Sequence, residues 1–293
     1  MSVLSQAKVE KVQYGPWSSC FKVSNDKLEF TAVPAISRLL SLKLKGGPEM
    51  FWNPELSGGK KTFEPWEVLG GFYNWIAPQN GWVNDKGALS NWPPDPDLER
   101  KPCTVKVLDE NTIILTTPLS KVYGLRFEKT YQLDPAAAKV KVDMKLTNEG
   151  SKPVRWSIWN LGGVPCRGKV IVPGLKVKDI FFWDNPEKGK AAFLHLAKNT
   201  KAGLELTLDG FQKEGAKMWY PAGPLSVIHV LDGVTWTRTF ENPPKAFFTD
   251  MGAQIEIFAW GEKGYAEIEI LGPEETIPAK GSIVWKETWE LKR

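Results

Sequence analysis

Wherever the chain is regular, apolar and polar residues alternate with a period of two. The segments CFKVSNDKLEFTAV, RFEKTYQL, KVKVDMKLTN, VRWSIWNL, GLELTLDGF, AQIEIFAW, YAEIEIL and IVWKETWELK each carry their apolar side chains on one face. That period belongs to β-strands, whose successive side chains point to opposite sides of a sheet. Turn-forming residues separate them: Asn25-Asp26 inside the first segment, Asp134-Pro135 between RFEKTYQL and KVKVDMKLTN, and Asn148-Glu149-Gly150 after it. Such turns join neighbouring strands as antiparallel hairpins. AISRLLSLKL at 35–44 and PAAAK at 135–139 have room for a turn or two of helix but lack the length and caps of a longer one. The pattern predicts an all-β, antiparallel protein. It resumes after each loop without a Ser/Gly-rich linker or an internal repeat, so one domain over residues 1–293 is expected.

Composition narrows the function classes. Hydrophobic residues make up 42% and charged residues 25% of the 293, which suits a globular chain with a sizeable core. The 38 basic and 34 acidic residues are scattered, so neither nucleic acid nor an anionic membrane is an expected partner, whereas an anionic sugar stays compatible. Three cysteines, Cys20, Cys103 and Cys166, without CxxC spacing argue against a disulfide framework or a zinc site; they read as inert, buried thiols. The segment MSVLSQAKVEKVQYG has no secretory apolar core, and no apolar run approaches the roughly 18 residues of a membrane span, so a soluble, cytoplasmic protein is expected. GxSxG, HExxH, Walker A and GxGxxG motifs are all missing, which removes the sequence support for serine-nucleophile, zinc-protease and nucleotide chemistry. No cofactor is expected.

Two stretches, Gly46 to Glu67 and Gly70 to Pro102, read as loops longer than compact domains usually tolerate without a functional reason. They contain Trp52, Trp66, Trp75, Trp82 and Trp92, five of the 14 tryptophans. A pyranose has apolar C–H faces and a rim of hydroxyls, so its site needs flat aromatic surface with orienting amides. Tyr73, Asn74, Trp75, Gln79, Asn80, Trp82 and Trp92 supply that set, and the competing reading is a satellite core in which loops bury their own aromatics. Asp85, Asp95 and Asp97 offer hard oxygens to Ca²⁺, but their spacing matches no EF-hand, so a proline-rigid turn is preferred and no metal is expected.

Titratable groups give a second cluster. Glu256 and the pair Glu267 and Glu269 fall on adjacent C-terminal strands joined by the GEKG turn at 261–264. Alternation puts Glu267 and Glu269 on one face about 7 Å apart. If that face is buried, the pair raises a pKa and prepares acid–base chemistry; the alternative is a solvent-facing pair. Of the two histidines, His195 and His229, both in apolar strand-like sequence, His229 is the preferred candidate acid, and a structural role is the alternative.

Four segments, GGFYNWIAPQ, GLRFEKTYQLDPAAAKVKVDMKLTNEGSKPVRWSIWN, FFTDMGAQIEIF and YAEIEILGPEETIPAKGSIVWKETWEL, together resemble the galactose mutarotase (aldose 1-epimerase) superfamily from about Val23 onward. The WPPDP element, Trp92 to Pro96, is similar to an uncharacterised branch of it. The resemblance implies an antiparallel β-supersandwich. It also implies a glutamate near the last strands as general base, Glu269 with Glu267 as the alternative, and brings Trp159 and Asp250 into the sugar site. The histidine that serves those enzymes as acid has no counterpart, because the matching segment reads Arg155-Trp156-Ser157-Ile158-Trp159-Asn160. Trp75 stands near the place of their early-loop arginine. Arg155 or His229 is then expected to polarise the ring oxygen. The expectation is a carbohydrate-binding protein acting as a mutarotase-like isomerase on a mono- or oligosaccharide. The alternatives are a binding protein without catalysis, or a polysaccharide lyase or glycoside hydrolase on the same fold. A lyase would use Arg155, Arg167 or Arg238 against a uronate with Tyr220 or His229 as base, and a hydrolase two flanking carboxylates.

Overall fold

A computed structural model describes residues 7–53, 67–90, 92–182, 193–211 and 216–293. Trp66, one of the aromatics singled out above, lies outside the described residues.

Each alternating segment forms the strand or strands its pattern implies, and they assemble into two antiparallel sheets. The first runs through Lys8–Tyr14, Trp17–Ser24, Leu28–Val33, Arg38–Leu44, Gly71–Ala77, Val154–Pro165, Tyr265–Leu271, Ala253–Trp260, Ala216–Pro221 and Phe181–Phe182. Glu275–Ile277 joins it beside the start of Val154–Pro165. The second runs through Ala197–Thr200, Gly203–Thr207, Lys169–Val172, Ser226–Leu231, Val234–Phe240, Ser282–Lys292, Lys139–Asn148, Leu125–Leu133, Thr112–Thr116 and Thr104–Val107. Asn25 and Asp134 make the expected turns: Asn25 Oδ1 accepts the amides of Lys27 and Leu28, and Asp134 Oδ1 those of Ala136 and Ala137.

Leu125–Leu133 alternates strictly between buried and half-buried, as a strand with one covered face must. Gly71–Ala77 and Tyr265–Leu271 are instead buried at every position. One of their faces packs on the second sheet and the other floors the site. This corrects two readings. GFYNWIA is a central strand rather than loop, hidden because burial on both faces erases alternation. AISRLLSLKL holds only a 3₁₀ turn, Pro34–Ile36, stopped by Ser37 at φ 54°, before Arg38–Leu44 pairs with Leu28–Val33.

Between the sheets the apolar core closes around a polar knot. Arg238 donates to both oxygens of Glu287 at 2.8 and 2.9 Å and to the Ile268 carbonyl at 2.6 Å. Asn160 Nδ2 and Trp289 Nε1 donate to the same carboxylate at 2.7 and 2.9 Å. Asn74 donates to Asn160 Oδ1 at 2.6 Å. Asn74 is therefore an inter-sheet residue, a correction to its expected place against sugar: its side chain points opposite to those of Tyr73 and Trp75. The cysteines are free thiols, but only Cys20 is fully buried, while Cys103 and Cys166 are half-buried. Among the described residues no helix is long and apolar enough to cross a membrane.

Candidate functional site

Strand register assembles the site on the face of the first sheet that points away from the second. Glu256 lies opposite Glu269 on one side and Trp219 on the other. Glu269 lies opposite Leu161 and Glu267 opposite Gly163; two residues earlier in the same strand Trp159 faces Trp75. Because side chains alternate, Tyr73, Trp75, Trp159, Glu267, Glu269, Glu256, Lys217 and Trp219 all emerge on one face.

A cavity of about 350 Å³ opens there, lined by Pro78, Gln79, Asn80, Trp159, Lys217, Trp219, Thr249, Asp250, Met251 and Glu256. Asp250 and Met251 sit in left-handed backbone, at φ 50° and 58°, where Thr249–Gly252 bends over the mouth. Lys217 is the hub. Its Nζ is 2.5 Å from Glu256 Oε2, 3.0 Å from Glu269 Oε2 and 4.5 Å from the Trp159 ring centroid. Glu256 Oε1 and Glu269 Oε1 are buried without a hydrogen-bond donor. Asp250 and Glu256 line the cavity together, so each carboxyl disfavours ionisation of the other.

Burial raises Glu256 well above the usual carboxylate range; Lys217 opposes this, and Glu269 and Asp250 add to it. Burial likewise raises Asp250. Glu267 is pushed up to about 7 by burial and by Glu269, against hydrogen bonds from Tyr265 and Tyr73. Burial by itself would lower Lys217, but Glu256 and Glu269 outweigh it and hold the ammonium charged. The two carboxylates read from the sequence as one pair thus have different surroundings. Glu269 is fully buried against Lys217, whereas Glu267 accepts from Tyr265 at 2.5 Å and from Tyr73.

Trp75 packs edge-on against Trp159, Trp82 and Trp92 at 5.2, 5.5 and 5.8 Å between centroids. Trp75 and Trp82 are buried, and Trp82 donates to the Ile76 carbonyl at 2.8 Å, so both form the wall behind Trp159; Trp92 is 43% exposed. Asp95 caps the short helix Pro96–Glu99 and accepts from Ser120, while Asp97 pairs with Lys101 at 2.6 Å, which is the turn-forming role favoured for WPPDP.

Other expected residues fall elsewhere. His229 is buried in the second sheet with Nε2 3.1 Å from the Arg167 carbonyl, and burial lowers it to about 4, so it is neutral and distant in the fold from the cavity wall. His195 is exposed outside it. Arg155 is half-exposed, paired with Glu274 at 2.6 Å and stacked on Phe247. Its side chain belongs to the rim beyond the lining. Arg167 pairs with Asp232 and Arg238 with Glu287. Tyr220, on the opposite face from Lys217 and Trp219, contacts Met218. Sequence reasoning passed over Lys217, Trp219, Thr249 and Met251. The signal for the first two was a lysine and a tryptophan two apart in KMWYP, a charge in a slot of one strand face.

A family model described as Domain of unknown function (DUF4380) matches residues 21–213. A search of curated proteins found no match. Among solved structures, a galactose mutarotase-like protein from Clostridium acetobutylicum superposes with a TM-score of 0.66 at 12% identity, covering 98% of this chain and 99% of that one. Another galactose mutarotase-like protein, from Lactobacillus casei, gives 0.61 at 15% identity, covering 94% and 100%. A TPR-domain containing protein from Parabacteroides distasonis gives 0.60 at 13% identity; the match covers 98% of this chain but about half, 54%, of that longer one. At these identities the likeness is one of fold, and the fold is the galactose mutarotase-like β-supersandwich. With the family model spanning residues 21–213, which hold the central strands, the aromatic wall and Trp159, the chain belongs to the DUF4380 family.

Proposed function

We propose that the cavity binds a mono- or oligosaccharide and that the protein interconverts the anomers of the sugar it holds. The observation that carries this reading is the meeting, in one cavity, of the Trp159 and Trp219 rings, the Gln79 and Asn80 amides and the Lys217–Glu256 ion pair. Indole faces suit the C–H faces of a pyranose, and the amides and charges orient its hydroxyls. Anomer exchange needs a base to take the proton of the anomeric hydroxyl and a donor to draw electrons onto the ring oxygen. Glu256 and Asp250 are the carboxyls that line the cavity; Glu256 is the one paired with Lys217, and burial raises its proton affinity, which suits a group that both accepts and returns a proton. Lys217 is the donor placed to polarise the ring oxygen, the role expected of Arg155 or His229. Glu269, the base implied by the family resemblance, acts in this reading through Lys217 as a positioning residue.

The test is thermal shift against aldoses and several polysaccharides, with anomer exchange followed by NMR saturation transfer. Stabilisation by a ligand grows with its concentration over its Kd. A stabilising monosaccharide whose exchange is accelerated, with the acceleration lost in Glu256→Gln, supports the reading. Binding without exchange reduces the protein to a carbohydrate-binding one. Cleavage of a polymer replaces the reading with a lyase or hydrolase.

A further inference from the structure

Resting on the carbohydrate reading of this cavity, we infer that the sugar it selects carries a free, protonated amine. Asp250 and Glu256 line the cavity, and Glu269 and Glu267 stand behind them on the neighbouring strand. Among the described residues the cation paired with these carboxyls is Lys217; Arg38, 4.4 Å from the Tyr73 ring centroid, is paired with Glu99. The arginines that could serve an anionic sugar are engaged elsewhere, Arg155 with Glu274, Arg167 with Asp232 and Arg238 with Glu287. A uronate would add like charge to an acidic pocket.

Glu256 is 1% exposed, and its Oε1 has no donor although the residue lines the cavity. A buried acceptor left unpaired is costly, and the cost is greatest for a charged one. A sugar hydroxyl would supply one donor and leave the charge excess in place. An ammonium supplies three donors and a positive charge, and it gains further from aromatic faces. The cavity already treats one ammonium in this way, since Lys217 Nζ lies 4.5 Å from the Trp159 centroid. A ligand amine seated between Asp250 and Glu256, with Trp159 and Trp219 as walls, would repeat the arrangement. An amine on the carbon beside the anomeric carbon places that contact next to the reacting hydroxyl, so the class is an amino aldose with its amine unmodified.

The charged side chains facing the seat are Lys217, Glu256, Glu267, Glu269, Asp250 and, from the rim, Glu274. Burial raises the proton affinity of Asp250 and Glu256, and a ligand cation beside them would lower it. Binding an amine therefore expels protons.

Titration calorimetry of the full chain at pH 7 with glucosamine, galactosamine, glucose, galactose, N-acetylglucosamine and glucuronate decides the matter. The expected result is at least about tenfold tighter binding of an amine than of its neutral parent, with the acetylated form back at or below the parent. Heats measured in buffers of different ionisation enthalpy should show proton release with the amine alone. Asp250→Asn should bring the amine-to-neutral ratio to within about threefold of unity, and the wild-type ligand series stands without it if that variant fails to fold. A neutral or acetylated sugar bound as tightly as the amine overturns this inference and leaves the carbohydrate reading intact. Failure of every sugar to bind overturns the carbohydrate reading itself, and this inference with it.

Discussion

Replacing Lys217 by methionine tests the electrostatics of the site directly, because it keeps most of the side-chain volume and removes the cation that pairs with both Glu256 and Glu269. Lys217 is 15% exposed, and its Nζ lies 2.5 and 3.0 Å from the Glu256 and Glu269 carboxylates, which are 1% and 0% exposed. At an effective dielectric constant of 20 each contact corresponds to about 6 kcal/mol of attraction before desolvation is charged against it. Breaking a buried pair by removing one partner costs about 3–5 kcal/mol, since the other charge stays behind. The cluster can escape that penalty by folding with one more carboxyl protonated. A raised folded-state pKa means that the folded state holds a proton the unfolded chain has lost, so the contribution is favourable below the unfolded pKa and is lost as pH rises. The cost is about 1.4 kcal/mol for each pH unit above an unfolded pKa near 4.3. The loss caused by Lys217→Met should therefore be about 1 kcal/mol at pH 5 and about 4–5 kcal/mol at pH 8. Guanidinium unfolding of both proteins at the two pH values measures it. An equal loss at pH 5 and pH 8, or a larger one at pH 5, would refute the picture of carboxylates held together by a single ammonium.

Other consequences follow from the same physics. Lys129 is fully buried, donates to the Ser37 carbonyl at 2.8 Å and is lowered to about 7 by burial, so folding strips its proton and wild-type stability should rise with pH above 7. Lys129→Met should accordingly gain about 2 kcal/mol more, relative to wild type, at pH 7 than at pH 9, and a pH-independent difference in chemical denaturation would contradict this. Arg238→Met, which leaves Glu287 buried and uncompensated between the sheets, should cost about 3–5 kcal/mol, and adding Glu287→Met should recover much of it in a double-mutant cycle. Gly70 has φ +66°, and a Cβ there would sit 1.7 Å from the Trp52 carbonyl oxygen, so Gly70→Ala should prevent native folding, as read by loss of the cooperative thermal transition.

The alternating segments from Cys20 to Lys292 specified strands, and Asn25, Asp134 and Asn148 specified where the chain turns, because a period of two and turn chemistry are local properties. The same periodicity put Glu267 and Glu269 on one face and, through the GEKG turn, beside Glu256. It also separated Asn74 from Tyr73 and Trp75, a distinction that listing them together as one aromatic and amide set overlooked. Which face is buried was not local. Gly71–Ala77 reads as loop because each of its faces is covered by a different part of the molecule, and alternation vanishes when both sides are dry. Lys217 comes to Glu269 from 52 residues away and to Glu256 across a strand pairing that no nearby residue dictates, so the hub of the site appears only when sheet order is known. Sheet order sends His229 into the other sheet and Arg155 to a rim ion pair. A strand's face is written in its own residues, whereas its neighbours are chosen by long-range burial of apolar surface. A site built from five strands therefore belongs to the tertiary structure.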